Sequence, residues 1–196
     1  MTRRRSSIKR RGKTGAMAAE YVATMYLLFI FMFFPILNLG TVGLNAFFLW
    51  FATNCAATVG AKSQCFQQAV QIPTGTGPWY PGAYDTARAK ATEIRNMFPG
   101  VSWVATATNP EVKAIAEPID PAAGLTPYQH VGPGAWPAGA PRPDPDQYTL
   151  LLRVTINGSA SPLITVPWFN VPGLSKPMDL KMVSQAQFEN PPGLLF

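Results

Sequence analysis

The sequence predicts an α+β protein: a long N-terminal apolar helix, then a small antiparallel sheet with one amphipathic helix packed against it. Three observations predict it. Residues 21–61 carry no charge. Tyr84, Ala87, Ala91, Ile94 and Phe98 recur at spacings of three and four, a helical period. Residues 148–157 and 180–188 alternate apolar and polar, the period of a half-buried strand.

The charge is segregated. Of 16 Lys and Arg, seven lie in residues 3–13: Arg3, Arg4, Arg5, Lys9, Arg10, Arg11 and Lys13. No acidic residue precedes Glu20, and beyond it acidic and basic residues balance, so the net charge of +6 belongs to the leader. A basic outer domain is therefore not expected, and neither is a nucleic-acid partner.

The most apolar stretch runs from Val22 to Leu44. Crossing a hydrocarbon core takes roughly 20 apolar residues. A secretory signal carries an apolar region of only about 7–15 residues. The run thus reads as a retained membrane helix, and the basic cluster places the N-terminus in the cytoplasm and the rest outside. Pro35 sits inside the run, which predicts a kink near Phe31–Phe34. The helix is expected to continue to about Gln71 and to end in the Ile72–Pro78 turn cluster. The division is then a basic leader over 1–15, a helix over 16–71 and an extracytoplasmic domain over 72–196.

Cys55 and Cys65 follow the span on its outer, oxidising side. Ten residues of continuous helix separate Cα atoms by about 15 Å, whereas a disulfide needs roughly 4.4–6.8 Å. The two can pair within one chain only if the helix breaks near Gly60.

In the outer domain, Asp85–Phe98 predicts the amphipathic helix, stopped by Pro99-Gly100. Val101–Thr108 and Val112–Ala116 read as strands around an Asn109-Pro110 turn. Residues 118–146 hold eight prolines and four glycines, which predicts a loop without a core. Tyr148–Ile156 is the strongest strand, and Asn157-Gly158 is a strong turn signal. Pro162 and Pro167 demote the next apolar stretch to an edge or loop. Within it, Leu163–Leu174 is expected to pack into the core more than to lie exposed. Leu180, Met182, Ser184, Ala186 and Phe188 alternate in a last strand.

Chemistry-bearing sets are sparse. His130 is the one histidine, in a Pro/Gly-rich loop, and reads as solvated. Asp144 and Asp146 read as a solvated turn in preference to a cation site. No nucleophile–base set assembles without His130, and no phosphate loop follows a strand. The expectation is a non-enzymatic protein with no cofactor and no metal. The alternative is an uncleaved signal-anchored protein whose outer domain binds a ligand or performs catalysis.

The leader boundary reads Lys13-Thr-Gly-Ala-Met-Ala-Ala-Glu-Tyr21. Gly15 suits an extended strand entering a protease cleft and interrupts the helix. Glu20 favours the positive end of the helix dipole, worth about 0.3–1 kcal/mol. Cleavage after Gly15 would leave an amine on Ala16, one turn from Glu20 on the same face.

These residues are similar to the processing site of type IV pilin-like proteins, in which a prepilin peptidase cuts after Gly and Glu is the fifth residue of the mature chain. The Glu20-Tyr21 pair resembles the Flp, or tight-adherence, branch. The length and layout resemble its TadE-like pseudopilins. So do Tyr148–Ile156, Pro162–Phe169 and Met178–Gln187, as strand, Pro-rich excursion and last strand. Residues 100–146 depart from that pattern. The resemblance implies a pilin-like fold and cleavage between Gly15 and Ala16, with Glu20 setting helix register. It implies partnership with the peptidase, other pilin-like subunits and the pilus assembly machinery. It also implies a single-pass location in the cytoplasmic membrane and a role in adhesion.

Overall fold

The computed structural model describes residues 12–63, 70–71, 79–103, 108–131, 143–165, 171 and 175–189. The N-terminal helix is built from α1 (Gly12–Leu28), a π-turn (Phe29–Phe33) and α2 (Phe34–Ala61). Pro35 has no N–H to give the carbonyl of Phe31, and the widened turn falls on the residues just before it. Where a kink was expected the helix has a π-turn. Phe29 and Phe33 stack across it with centroids 4.4 Å apart.

The helix stops at Ala61, ten residues before the expected Gln71, and Val70–Gln71 is a short strand (β1). The cause is tertiary. The N–H of Glu189 bonds the Ala61 carbonyl at 3.3 Å, and Lys62 and Ser63 close tight turns on Val59 and Gly60. These bonds satisfy carbonyls that another helical turn would have taken. β1 pairs antiparallel with β2 (Trp79–Tyr80).

The amphipathic helix α3 spans Ala83–Met97 and buries Tyr84, Ala87, Ala91 and Ile94, with Phe98 half-buried. It runs antiparallel to α2. Ala83 and Ala87 lie against Gly60, Phe98 stacks on Phe48 at 3.9 Å, and Gly100 meets the Asn45 side chain. Between them, Ala52, Ala56, Ala57, Ala61, Ala83, Ala87 and Ala91 are all at most 3% exposed. Small side chains let the two backbones approach closely.

The sheet centres on β6 (Tyr148–Ala160). Its edges carry β7 (Met178–Gln187) on one side and β4 (Glu111–Pro118) on the other, both antiparallel. β3 (Val101–Ser102) pairs with Ala160 and Ser159, in line with β4, because β7 already fills the opposite edge there. β5 (Tyr128–Val131) pairs with the outer edge of β4. Tyr148, Leu150, Leu152, Val154 and Ile156 are buried, as the alternation predicts. Leu180, Met182 and Ala186 of β7 pack on the same core, and Phe188 is buried just beyond them.

Three expectations are corrected. The loop over 118–146 contains β5 and a 3₁₀ turn at Pro121–Ala123; Tyr128–Val131 is a proline-free stretch that meets the open edge of β4. Asn157-Gly158 is not a turn, because β6 runs straight through it. The side chain of Asn109 brackets Asn157, accepting its N–H at 3.0 Å and donating to its carbonyl at 2.7 Å. Gly158 is needed for contact: a Cβ there would lie 3.0 Å from the Ser102 carbonyl and 3.1 Å from Leu49. Of the expected strand over Val101–Thr108 only Val101–Ser102 is strand (β3); Trp103 and Thr108 lie outside it, and residues 104–107 lie outside the described residues.

A Cβ on Gly60 would lie 2.9 Å from that of Ala87 and collide with Leu152, so Gly60→Val is expected to cost about 1–3 kcal/mol in unfolding free energy. Gly43 has nothing within 4 Å of such a Cβ. Gly43→Ala is therefore expected to leave stability unchanged or to raise it by at most ~1 kcal/mol. Denaturant titration of the detergent-solubilised chain, followed by circular dichroism, reads both.

Candidate functional site

The feature that stands apart from the core is the N-terminal helix itself. Met17–Ala61 is long and apolar enough to cross a membrane. Its two halves differ. From Met17 to Leu37 no residue is buried, and Tyr21, Val22, Tyr26, Phe31 and Met32 are each at least 60% exposed. From Asn38 a buried seam begins: Asn38, Val42, Asn45, Leu49, Ala52, Ala56 and Gly60, at spacings of four and three. That spacing keeps one face of α2 on the domain.

The opposite face of the same half stays exposed. Leu39, Leu44, Phe47, Trp50 and Phe51 are between 39% and 58% exposed. Phe47 contacts Phe48, Trp50 and Phe51 with centroids 5.7–6.4 Å apart. A contiguous apolar stripe of this kind on an isolated chain marks an interaction surface.

Polar side chains tie the seam to the domain. Asn38, 2% exposed, donates to the Ile164 carbonyl at 2.8 Å and accepts the Ile164 N–H at 2.9 Å. Asn45 donates to the Ser161 carbonyl at 3.2 Å. Ser184 of β7 donates to the Asn54 side chain at 3.1 Å. A buried amide must find partners or forfeit about 1–3 kcal/mol, so these bonds fix the rotation of the helix against the sheet. They left only a faint signal in the sequence, two asparagines seven residues apart in an apolar run.

Gly15 and Ala16 lie inside α1, not in an extended segment. Ala16, Ala18 and Ala19 favour helix strongly enough to carry it through Gly15. Glu20 is exposed, and among the described residues its carboxylate makes no ion pair; its backbone carbonyl accepts the Thr24 hydroxyl at 2.8 Å. Tyr21 is 65% exposed. Ala16 and Glu20 are one helical turn apart, as the spacing predicts.

Cys55 is half-buried against the core with a free thiol, and Cys65 lies outside the described residues. His130 sits in β5 opposite Ala114, in a strand where a loop was expected. The Asp144 side chain accepts the Asp146 N–H at 3.0 Å, and its carbonyl accepts the N–H groups of Gln147 and Tyr148, a turn that launches β6. Among the described residues no group of three or more His, Cys, Asp or Glu is placed to hold a metal ion. Burial holds the Tyr148 phenol above its usual 10.0, and the neighbouring Tyr128 adds to the shift by charge and hydrogen bonding. Among the described residues, one open groove of about 380 Å³ lies beside Ser102, Asn157 and Lys181, and another of about 570 Å³ lies between Val59 and α3. Neither is lined by histidine or cysteine.

Comparison with known proteins finds no matching family model, no matching curated protein and no matching solved structure.

Phe47 and Phe48 are adjacent but serve different faces. Phe47→Ser with Trp50→Ser is expected to leave the unfolding free energy within about 0.5 kcal/mol of the parent. Phe48→Ala, which removes the stack on Phe98, is expected to cost about 2 kcal/mol. Equilibrium unfolding in detergent separates the two.

Proposed function

We propose that this chain is a minor pilin-like subunit, a TadE-like pseudopilin of a tight-adherence pilus. It would be inserted by its basic leader, cut after Gly15 by a prepilin peptidase and packed against other subunits through its N-terminal helix. The observation that carries the reading is the helix: one apolar rod, widened by the π-turn at Phe29–Phe33, bare to Leu37 and clothed by a domain on only one face beyond it. A helix serving purely as a tether has no use for an exposed aromatic stripe above the span. A helix that assembles side by side with others does.

Glu20 supports the same reading. It is the one charged side chain within Met17–Ala61, and it stands a single turn beyond Ala16. In the assembled state the carboxylate neutralises the new amine of Ala16, on its own chain or a neighbour's. Desolvating either charge alone at the membrane face is costly, and pairing offsets that cost. Pairing therefore selects one axial register between helices. The outer domain, attached along the Asn38–Gly60 seam, turns as a unit with the helix.

Sequencing the N-terminus of the membrane-extracted protein tests the reading. A mature chain starting at Ala16 is expected, and Gly15→Ala is expected to retain the leader. A wild-type chain still starting at Met1 would overturn processing and leave the uncleaved anchor.

A further inference from the structure

The chain between β6 and β7 leaves the sheet at Ala160 and returns at Met178, two residues that face each other in register. Its first part is described. Ser161 is held by Asn45 and Ile164 by Asn38. Asn45 and Asn38 are seven helical residues apart, about 10.5 Å along the axis. Ser161 and Ile164 are three residues apart, a reach of at most about 10 Å. The segment therefore runs alongside α2 and antiparallel to it, toward the bare half of the helix.

Its level relative to a bilayer follows from the helix. Glu20 marks the cytoplasmic edge of the uncharged run. Asn38 is 18 residues further, about 27 Å along the axis, against a hydrocarbon core of about 30 Å. Ile164, bonded twice to Asn38, is thus at the outer boundary of the hydrocarbon. Beside it, Leu163 is 63% exposed, although the apolar stretch was expected to pack into the core. Pro162 brings no N–H that would need a partner there.

Resting on the membrane-anchored reading above, we infer that Ser161–Thr165 is a second membrane contact, seating Leu163 in the outer-leaflet interface of a phospholipid bilayer. The apolar surface of the span continues onto this segment at the same depth, which is why lipid is the occupant. The two bonds from Asn38 serve both partners. They satisfy a buried amide at the edge of the span and the backbone of Ile164 where water is scarce. The result is a protein held to the bilayer at two points, so that helix and outer domain, already one unit, do not tilt freely against the membrane surface.

The test uses the full chain with Cys55→Ala and Cys65→Ala, reconstituted into phosphatidylcholine–phosphatidylglycerol vesicles. A single environment-sensitive fluorophore is attached through Leu163→Cys, Met32→Cys or Val183→Cys. Lipids carrying a nitroxide high on the acyl chain quench from the membrane, and iodide quenches from water. The probe at 163 is expected to lose most of its emission to the lipid nitroxide and to resist iodide, as at 32. The probe at 183, on the exposed face of β7, is expected to do the reverse. Lipid quenching at 32 with iodide quenching at 163 overturns the inference and leaves the anchor standing. Absence of lipid quenching at 32 overturns the anchor reading and the inference with it. Adding Asn38→Ala is expected to weaken lipid quenching at 163; unchanged quenching overturns the role given to the Asn38 bonds.

Discussion

The structure depends on one close approach. Around Gly60, α2 meets the Ala83–Ala87 turn of α3 on one side and Leu152 of the central strand on another. No side chain larger than hydrogen fits between them. Ala52, Ala56, Ala57 and Ala61 extend this condition along the helix, and Ala83, Ala87 and Ala91 answer it from α3. The packing gains dispersion contacts because the backbones are near, and it loses them quickly if a methyl group intrudes. Everything else in the domain is referenced to this seam. β7 follows α2 and caps its end through Glu189, while β6 lays Leu152, Val154 and Ile156 on it.

A helix that carries a domain on one face and leaves the other bare has a fixed orientation to its surroundings. The amides of Asn38, Asn45 and Asn54 bond the chain at three heights, to Ile164, Ser161 and Ser184. Rotating the helix by one residue would turn Trp50 or Leu44 toward the domain and strand the asparagines without partners. Apolar packing alone tolerates such slips; hydrogen-bonded amides do not. The exposed stripe from Leu39 to Phe51 is in this sense presented, at a defined angle to the outer domain. In the proposed assembly that angle decides which side of the domain faces a neighbour.

Some readings were secure because the signal is local. The 3–4 spacing of α3 and the alternation of Tyr148–Ile156 each state which side must be buried, and the observed elements bury it, while the uncharged run states only that its helix is apolar. Other signals were read correctly as unusual but assigned the wrong cause. Asn157-Gly158 marks a close contact with Leu49 and Ser102, since a glycine that admits a neighbouring backbone looks the same in sequence as one that makes a turn. The β5 strand hid among prolines because strand pairing depends on an available edge, and β4 offers one. Gly15 was legible as a boundary in composition, yet its backbone is helical.

By itself the sequence determined that this chain has an apolar helix able to span a bilayer, a basic end before it and a lone Glu20 between the two. Charge and hydropathy are properties of residues in order, and no folding is needed to read them. Tertiary structure decided where the helix ends, which of its faces is free and at what height the Ser161–Thr165 segment lies. Those outcomes rest on contacts between residues far apart in the chain, Ala61 with Glu189 and Asn38 with Ile164, which no periodicity encodes.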